Sequence, residues 1–118
     1  MNYFPVFLDA KMIKAMIIGG GDVAARKIEL LLKTTSNISV MSDELSPSVK
    51  ALIEKNQLTW LEHNYKPGCI TDHNLVIAAT DNTEVNEAVH AEASKLTLLV
   101  NVVDQPELCN YITPSIID

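Results

Sequence analysis

Short apolar runs alternate with helical patterns along most of the 118-residue chain. The runs have the length of strands and fall at residues 15–18, 38–42, 59–63, 75–79 and 98–103. Between them, apolar residues recur every three or four positions, which predicts helices over residues 22–34, over residues 46–56 and after residue 82. This alternation is typical of an α/β fold, a doubly wound parallel sheet of about five strands with helices on both faces. The length fits one domain with a single core.

The composition of each run predicts where it lies in the sheet. The continuous apolar run 75–79 is typical of a central strand, whereas the alternating run 59–63 predicts a half-buried edge strand. Residues 98–103 predict a fifth core strand, and the amino-terminal segment Phe4–Leu8 is apolar enough to pack on the sheet. The expected inner face of the third helix consists of Val85, Ala88, Val89, Ala93 and Leu96.

A glycine-rich turn between the first strand and the first helix carries the strongest functional signal. Gly19, Gly21 and Ala24 fit the pattern G-x-G-x-x-A. In this pattern the first glycine permits a tight turn, the second lets the backbone approach a pyrophosphate, and the small third residue lets helix pack on strand. Backbone N–H groups around Asp22 and Val23 would point to the anion at the positive end of the helix dipole. The turn therefore predicts a Rossmann-like dinucleotide site, with a plain tight turn as the alternative.

Two acidic residues follow the second strand. Asp43 and Glu44 lie about 20 residues beyond the glycine turn, where an acidic side chain accepts hydrogen bonds from ribose hydroxyls and repels a 2′-phosphate. This placement favours NAD over NADP. The alternative is a pair of solvated acids in the turn before Ser46.

The ends of the last two strands carry the other candidate residues. Thr80 and Asp81 lie where the nicotinamide half of the cofactor would pass, although both residue types also cap helices well. Asn101 and Asp104 lie where a nicotinamide ring and a substrate would meet, because ligands of open α/β sheets bind beyond the carboxyl ends of the strands. A carboxylate at that place can take a proton from a substrate during hydride transfer. Alternatively, Asp104 is the first residue of a turn that Pro106 completes.

Charge and composition exclude several other functions. The formal net charge is −6 with 15 acidic and 9 basic residues, and no cluster of Lys and Arg forms the stripe that nucleic acid requires. No apolar run is long enough to cross a bilayer, and the first residues lack the features of a signal peptide, so we expect a cytoplasmic protein.

The cysteines and histidines give no sign of metal or nucleophilic chemistry. Cys69 and Cys109 are expected to be reduced, small apolar fillers. The histidines lack the spacing of metal ligands, so no metal site is predicted, and no serine or cysteine belongs to a set that indicates nucleophilic catalysis. The three histidines are His63, His73 and His90, of which His90 is expected to be solvated.

Taken in order, several blocks of the chain resemble one family. They are Phe4–Leu8, Gly19–Lys27, Ala78–Asp81, Asn101–Asp104 with Pro106, and the terminal Pro-Ser-Ile-Ile-Asp of residues 114–118. The family is the precorrin-2 dehydrogenase and sirohydrochlorin ferrochelatase module of sirohaem synthases. The resemblance implies NAD-dependent oxidation of precorrin-2 to sirohydrochlorin, with ferrous iron insertion as an additional activity in many members. It also implies that Asp104 is the catalytic carboxylate, that the backbone of Asp22 and Val23 meets the NAD phosphates, and that Asp43 and Glu44 lie on the adenosine side.

The resemblance further divides the chain into an NAD-binding domain, residues 1–104, and the start of a dimerisation segment, residues 105–118. In the family, the chain continues into that segment and into a helical region that completes the tetrapyrrole cleft. This implies a fragment of a homodimeric enzyme, which can bind cofactor and still be inactive alone. Two other interpretations stay open at this point: a non-catalytic domain that senses NAD(H), and, less favoured because of Ala24, an S-adenosylmethionine methyltransferase.

Overall fold

The computed structural model describes residues 2–113 and contains every predicted strand and helix. Predicted and observed ends differ by at most two residues. The strands are β1 (Ala15–Ile18), β2 (Ile38–Met41), β3 (Thr59–Leu61), β4 (Leu75–Ala78) and β5 (Leu99–Val102). The helices are α1 (Asp22–Leu32), α2 (Pro47–Asn56) and α3 (Thr83–Lys95), with 3₁₀ turns at Ala10–Met12 and Pro106–Leu108.

The five strands form one parallel sheet in the order β3-β2-β1-β4-β5. The chain winds outward from β1 to β3 and then returns to the other side of β1, which confirms the predicted doubly wound topology. The predicted edge position of β3 is also confirmed. The predicted fifth core strand is present as β5, whose Val100 and Val102 are buried, and within residues 2–113 it pairs with β4 alone and forms the second edge.

Helices cover both faces of the sheet, as predicted. On one face, Ala24 and Ile28 of α1 and Val49 of α2 belong to the same buried cluster as Ile17 of β1. On the other face, α3 packs together with residues 62–74, which connect β3 to β4 without a helix.

The register of the strands brings their carboxyl ends to one edge. Ile18, the last residue of β1, is paired with Met41 of β2 and with Ala78 of β4, which is itself paired with Val102 of β5. The loops that follow these strands therefore meet at one edge of the sheet. The winding direction reverses between β1 and β4, and ligands of open α/β sheets bind in the crevice at such a point.

The buried face of α3 differs from the prediction. Val89 and Ala93 are buried as expected, but Ala88 is exposed and Leu96 is 41% exposed. The third buried residue of the helix is Asn86, which occupies the position one turn before Val89. An amide can be buried at that place because its hydrogen bonds are satisfied by a neighbouring loop, which hydrophobic periodicity does not reveal.

The amino-terminal segment does not pack on the sheet, contrary to the prediction. Phe4 is 88% exposed and Phe7 is 101% exposed. The chain is tied to Asn74 at Met12, whose carbonyl oxygen accepts from Asn74 Nδ2, and at Lys14, whose N–H donates to Asn74 Oδ1 at 2.8 Å. The Pro-Ser-Ile-Ile-Asp block at residues 114–118 lies outside the described residues.

His73 lies just before β4 and is expected to make stability depend on pH. Neither ring nitrogen has a hydrogen-bond partner within residues 2–113, although both are buried. Burial and then the charge of Lys14 lower the pKa of His73, against a smaller opposing effect of Asp72. The His73 ring therefore binds a proton more readily in the unfolded chain than in the folded one. As a result, the folded state loses stability as the pH falls below about 6.5, the ordinary pKa of histidine. We expect His73→Leu to stabilise the fold by about 1 kcal/mol at pH 7.5, because it removes unpaired buried nitrogens.

Urea unfolding of both proteins at pH 7.5 and at pH 5.0 checks this expectation. The stability gain of His73→Leu should be larger at pH 5.0, where the wild-type chain has lost stability. His63→Leu serves as the control, because His63 Nδ1 already lies 2.9 Å from the carbonyl oxygen of Asn64. An equal gain at both pH values would show that His73 does not titrate as described.

Candidate functional site

A cavity of about 820 Å³ opens at the edge where the carboxyl ends of the strands meet. It is lined by the loops after β1, β2, β4 and β5 and lies across the point where the winding direction reverses. The volume falls within the usual range for a small-molecule site. Of the residues predicted for the site, the cavity brings together Gly19, Gly21, Asp22, Val23, Asp43, Glu44, Thr80, Asp81 and Asp104.

Two glycines of the turn after β1 are required by the fold itself. Gly19 has a φ of 127°, and a Cβ there would lie 2.5 Å from the carbonyl oxygen of Ala79. The tight turn predicted at Gly19 is therefore confirmed. A Cβ on Gly20 would lie 2.2 Å from the carbonyl oxygen of Glu44. The motif treats this position as variable, so the pattern missed Gly20, and the only signal for it was the run of three glycines.

Gly21 has no such requirement. Its φ of −96° and ψ of −168° are open to any residue, and a Cβ there would meet no atom within 4 Å. It is exposed and lines the cavity. The protein itself thus leaves free space beside the Gly21 backbone, as expected where a ligand approaches closely.

The amino end of α1 points to the same space. Gly21 is the N-cap and makes no side-chain capping hydrogen bond. The first N–H groups of any helix lack intrahelical partners and carry the positive end of the helix dipole. Asp22 and Val23 provide two of these groups and line the cavity. Ala24, the last position of the motif, is fully buried in the cluster that contains Ile17, in agreement with its predicted packing role. This end of α1 can accept an anionic group.

Both acidic residues after β2 are exposed side chains at the cavity. Their backbone is fixed by neighbours: the N–H of Asp43 donates to Asn64 Oδ1 at 3.4 Å, and the Ser42 hydroxyl donates to the carbonyl oxygen of Glu44 at 2.7 Å. Because the carboxylates lie next to the glycine turn on the β2 side, the geometry allows either acid to reach a ribose.

Thr80 and Asp81 follow β4 and have different surroundings. The Thr80 hydroxyl donates to Asn86 Oδ1 at 2.6 Å, and the Asn86 amide returns a bond to the Thr80 carbonyl oxygen at 3.1 Å. The cap of α3 is Asn82, which accepts from the Val85 N–H. The side chain of Thr80 therefore supports the loop, whereas Asp81 is exposed at the cavity.

Asp104 follows β5 and lies on the opposite side of the glycine turn from Asp43. It is exposed and has a φ of 63°, a conformation that is unfavourable for most residues and is best tolerated by Asp and Asn among those with a side chain. The backbone forms a tight turn here, because the Gln105 N–H donates to the Val102 carbonyl oxygen at 3.2 Å. Asp104 is the third residue of this turn and not the first, so the predicted turn is wrong in its start, whereas the position at the cavity agrees with the prediction.

Asn101, which was predicted to lie with Asp104 where the nicotinamide ring and the substrate meet, does not line the main cavity. It lies within β5, paired with Ile77, and lines a separate cavity of about 300 Å³ together with Lys27 and Asp104. The difference arises because Asn101 precedes the end of its strand and does not follow it. Asp104 lines both cavities, as does its neighbour Val103.

One wall of the main cavity comes from residues that sequence reasoning missed. Asn64 and Tyr65, on the connection between β3 and β4, both line it. The Tyr65 hydroxyl donates to Glu92 Oε1, and burial followed by this hydrogen bond raises the pKa of Tyr65. No sequence pattern indicates these residues, because the connection between β3 and β4 has no regular hydrophobic periodicity. Its path past the cavity therefore cannot be predicted from the sequence.

Four other expectations concern features outside this cavity. Within the described part of the chain, no group of three or more His, Cys, Asp or Glu side chains could hold a metal ion, and no helix is long and apolar enough to cross a membrane. Both cysteines are free and partly buried, but Cys109 is more than a filler, because its Sγ accepts from the Val102 N–H at 3.2 Å. His90 is not simply solvated, since its Nδ1 lies 2.8 Å from the Leu108 carbonyl oxygen.

Comparison with known proteins yields relatives along the whole chain. The siroheme synthase of Pseudoalteromonas atlantica is 42% identical over 118 residues, which cover 100% of this chain and 26% of that protein. Siroheme synthase 1 of Serratia proteamaculans is 42% identical over 118 residues, 100% of this chain and 25% of its own length. The chain therefore spans about a quarter of the length of these curated relatives.

A solved structure described as "SirC, precorrin-2 dehydrogenase" has the same fold, with a TM-score of 0.80 at 24% identity. The match covers 96% of this chain and 55% of that one. A family model described as "Putative NAD(P)-binding" matches residues 6–115. The glycine turn, the open amino end of α1 and the sheet topology agree with that description, and the chain belongs to this NAD(P)-binding family.

Proposed function

We propose that this chain is the cofactor-binding part of an NAD-dependent precorrin-2 dehydrogenase that forms sirohydrochlorin in sirohaem biosynthesis. The observation that carries the proposal is the free space beside Gly21, at the uncapped amino end of α1. The fold itself does not require a glycine at this position. Because Gly21 has no side chain and lies next to free N–H groups, a diphosphate can come into close contact with the backbone there. The reaction itself is supported by the names of the relatives and of the structural neighbour.

The proposal places the two halves of NAD on opposite sides of the glycine turn. The adenosine half lies on the β2 side, where Asp43 and Glu44 accept hydrogen bonds from the ribose hydroxyls. The β4 and β5 side would hold the nicotinamide ring, which would supply the hydride acceptor for the oxidation of the substrate. Asp81 and the backbone of Thr80 border its path.

Asp104 is the proposed catalytic residue. It lies at the nicotinamide side of the main cavity and also borders the smaller cavity. A carboxylate at this junction can take the proton that the substrate loses during its oxidation, so that proton removal and hydride removal occur on the same molecule. In this proposal Asn101 borders the substrate through the smaller cavity and does not contact the cofactor.

The resemblance extends the proposal beyond the dinucleotide site. Residues 1–104 form the NAD-binding domain, and residues 105–118 belong to a dimerisation segment of a cytoplasmic homodimer. The rest of the tetrapyrrole site would come from segments that the longer relatives possess. With a net charge of −6, this domain has few cations for a substrate with many carboxylates, so other segments would supply positive charge.

Calorimetric titration with NAD, NADP and S-adenosylmethionine tests the cofactor assignment. We expect NAD to bind at one site and NADP to bind at least about tenfold more weakly, because the acids after β2 repel a 2′-phosphate. S-adenosylmethionine should give no binding heat. Binding of S-adenosylmethionine without NAD would assign the cavity to a methyltransferase and overturn the proposal.

A further inference from the structure

Tyr65 occupies the wall of the main cavity between the end of β2 and the start of α3. The cavity lining includes Met41 and Asp43 on the β2 side and Val85 on the α3 side. Tyr65 is partly buried and packs against the cluster of apolar residues that contains Met41. Because Asn64, the residue before Tyr65, bonds to Asp43, Tyr65 lines the cavity close to the loop after β2.

Glu92, in the last turn of α3, holds this side chain. One carboxylate oxygen accepts from the Tyr65 hydroxyl, and the other accepts from the Gly68 N–H at 2.9 Å. Burial and the adjacent carboxylate raise the pKa of the Tyr65 hydroxyl above its ordinary value. The hydroxyl therefore stays protonated and donates to Glu92, which ties the connection between β3 and β4 to α3 at two points.

The start of the same connection is also fixed to the loop after β2, because Asn64 Oδ1 accepts from the Asp43 N–H at 3.4 Å. Trp60 of β3 adds a second bond to this loop, since its Nε1 donates to the Ser42 carbonyl oxygen at 2.9 Å. The Tyr65 hydroxyl is thus held by Glu92 of α3, and the residue before Tyr65 contacts the loop after β2.

We propose that Tyr65 forms an apolar wall of the adenosine subsite and that Glu92 is the residue that positions it. The inference rests on the proposed function, which assigns the β2 side of the cavity to adenosine. The charged groups at that end, Asp43 and Glu44, suit ribose hydroxyls, but a purine ring also needs an apolar surface. A fixed aromatic ring provides such a surface at little entropic cost.

Titrations with NAD, AMP and nicotinamide mononucleotide, monitored by NMR on the 118-residue chain, test this proposal. Tyr65→Ala should weaken AMP and NAD by about tenfold, the usual size of a base-to-aromatic contact, and leave nicotinamide mononucleotide within a factor of two. Tyr65→Phe and Glu92→Ala should each weaken AMP about threefold, and the double variant should weaken it by less than the product of the two single effects, because both single variants remove the bond between Tyr65 and Glu92. Glu87→Ala is the matched control, as Glu87 is exposed on the same helix and should leave all three affinities unchanged.

The pattern of results separates the possible failures. A merely structural role of Tyr65 would lower the affinities for AMP and nicotinamide mononucleotide together. Unchanged AMP binding in Tyr65→Ala, with normal NAD binding by the wild-type chain, overturns the role of Tyr65 and leaves the proposed function intact. No binding of NAD to the wild-type chain overturns both. Additive effects of Tyr65→Phe and Glu92→Ala contradict the positioning role of Glu92.

Discussion

Replacing Gly21 with aspartate is expected to weaken NAD binding by at least about 100-fold, while the folded chain becomes slightly more stable. Aspartate is a good N-cap, so its carboxylate should bond the free N–H groups of the first turn and stabilise α1 by a few tenths of a kcal/mol. The same carboxylate would occupy the N–H groups that the diphosphate needs and would repel it. No clash with the protein is expected, because a Cβ on Gly21 meets no atom within 4 Å.

Gly21→Asn is the matched control, because asparagine also caps the helix but has no charge. We expect it to weaken NAD by about tenfold, from the loss of space and of free N–H groups alone. Calorimetry gives the affinities and urea unfolding gives the stabilities. A higher stability together with a weaker NAD affinity would exclude unfolding of the variant as the cause of the weaker binding. An NAD affinity of Gly21→Asp within threefold of wild type would contradict the assignment of the glycine turn.

Replacing Asp104 with asparagine is expected to reduce precorrin-2 oxidation by about 10²–10⁴-fold, the usual contribution of a general base. NAD affinity should stay within twofold, because Asp104 lies beyond the diphosphate and ribose contacts. Asparagine tolerates the positive φ of 63° nearly as well as aspartate, so the turn should persist. Turnover is measured as NADH formation in a chimaera that joins residues 1–118 to the remaining part of the Pseudoalteromonas atlantica relative.

Asp81→Asn in the same chimaera is the control, because Asp81 is another exposed carboxylate at the same cavity. It should change turnover by less than about threefold, since it is placed to border the cofactor and not to move a proton. Full turnover in Asp104→Asn would remove the catalytic role of Asp104. If NAD still bound, that outcome would favour a domain that senses NAD(H) without catalysis.

The fold was predictable because its signals are local. Each strand is a short apolar run, and Ser46 with Pro47 marks the start of α2 as expected, with the Ser46 hydroxyl accepting from the Val49 N–H. The rule that ligands bind beyond the carboxyl ends of parallel strands then located the cavity, because the register aligns those ends. Local pattern and general topology together were sufficient for the sheet and for most of the site.

The features that sequence reasoning missed depend on contacts between distant segments. Gly20 is required only because the loop after β2 passes close to it, and Asn86 is buried only because Thr80 satisfies its amide. Asn101 precedes the end of β5, so a position three residues before Asp104 faces a different cavity. Tyr65 reaches the site through a connection without regular structure. The spacing of residues along the chain does not predict any of these contacts between distant segments.

The central claim is that the backbone after β1 holds the diphosphate of NAD. An NMR titration of the ¹⁵N-labelled chain with NAD tests it most directly, because each amide reports its own surroundings. The account predicts that the largest shifts occur at the N–H groups of Gly21, Asp22 and Val23, with smaller shifts at Asp43 and Glu44. Saturation with NAD that leaves the first three amides unmoved, or no binding at all, would contradict it.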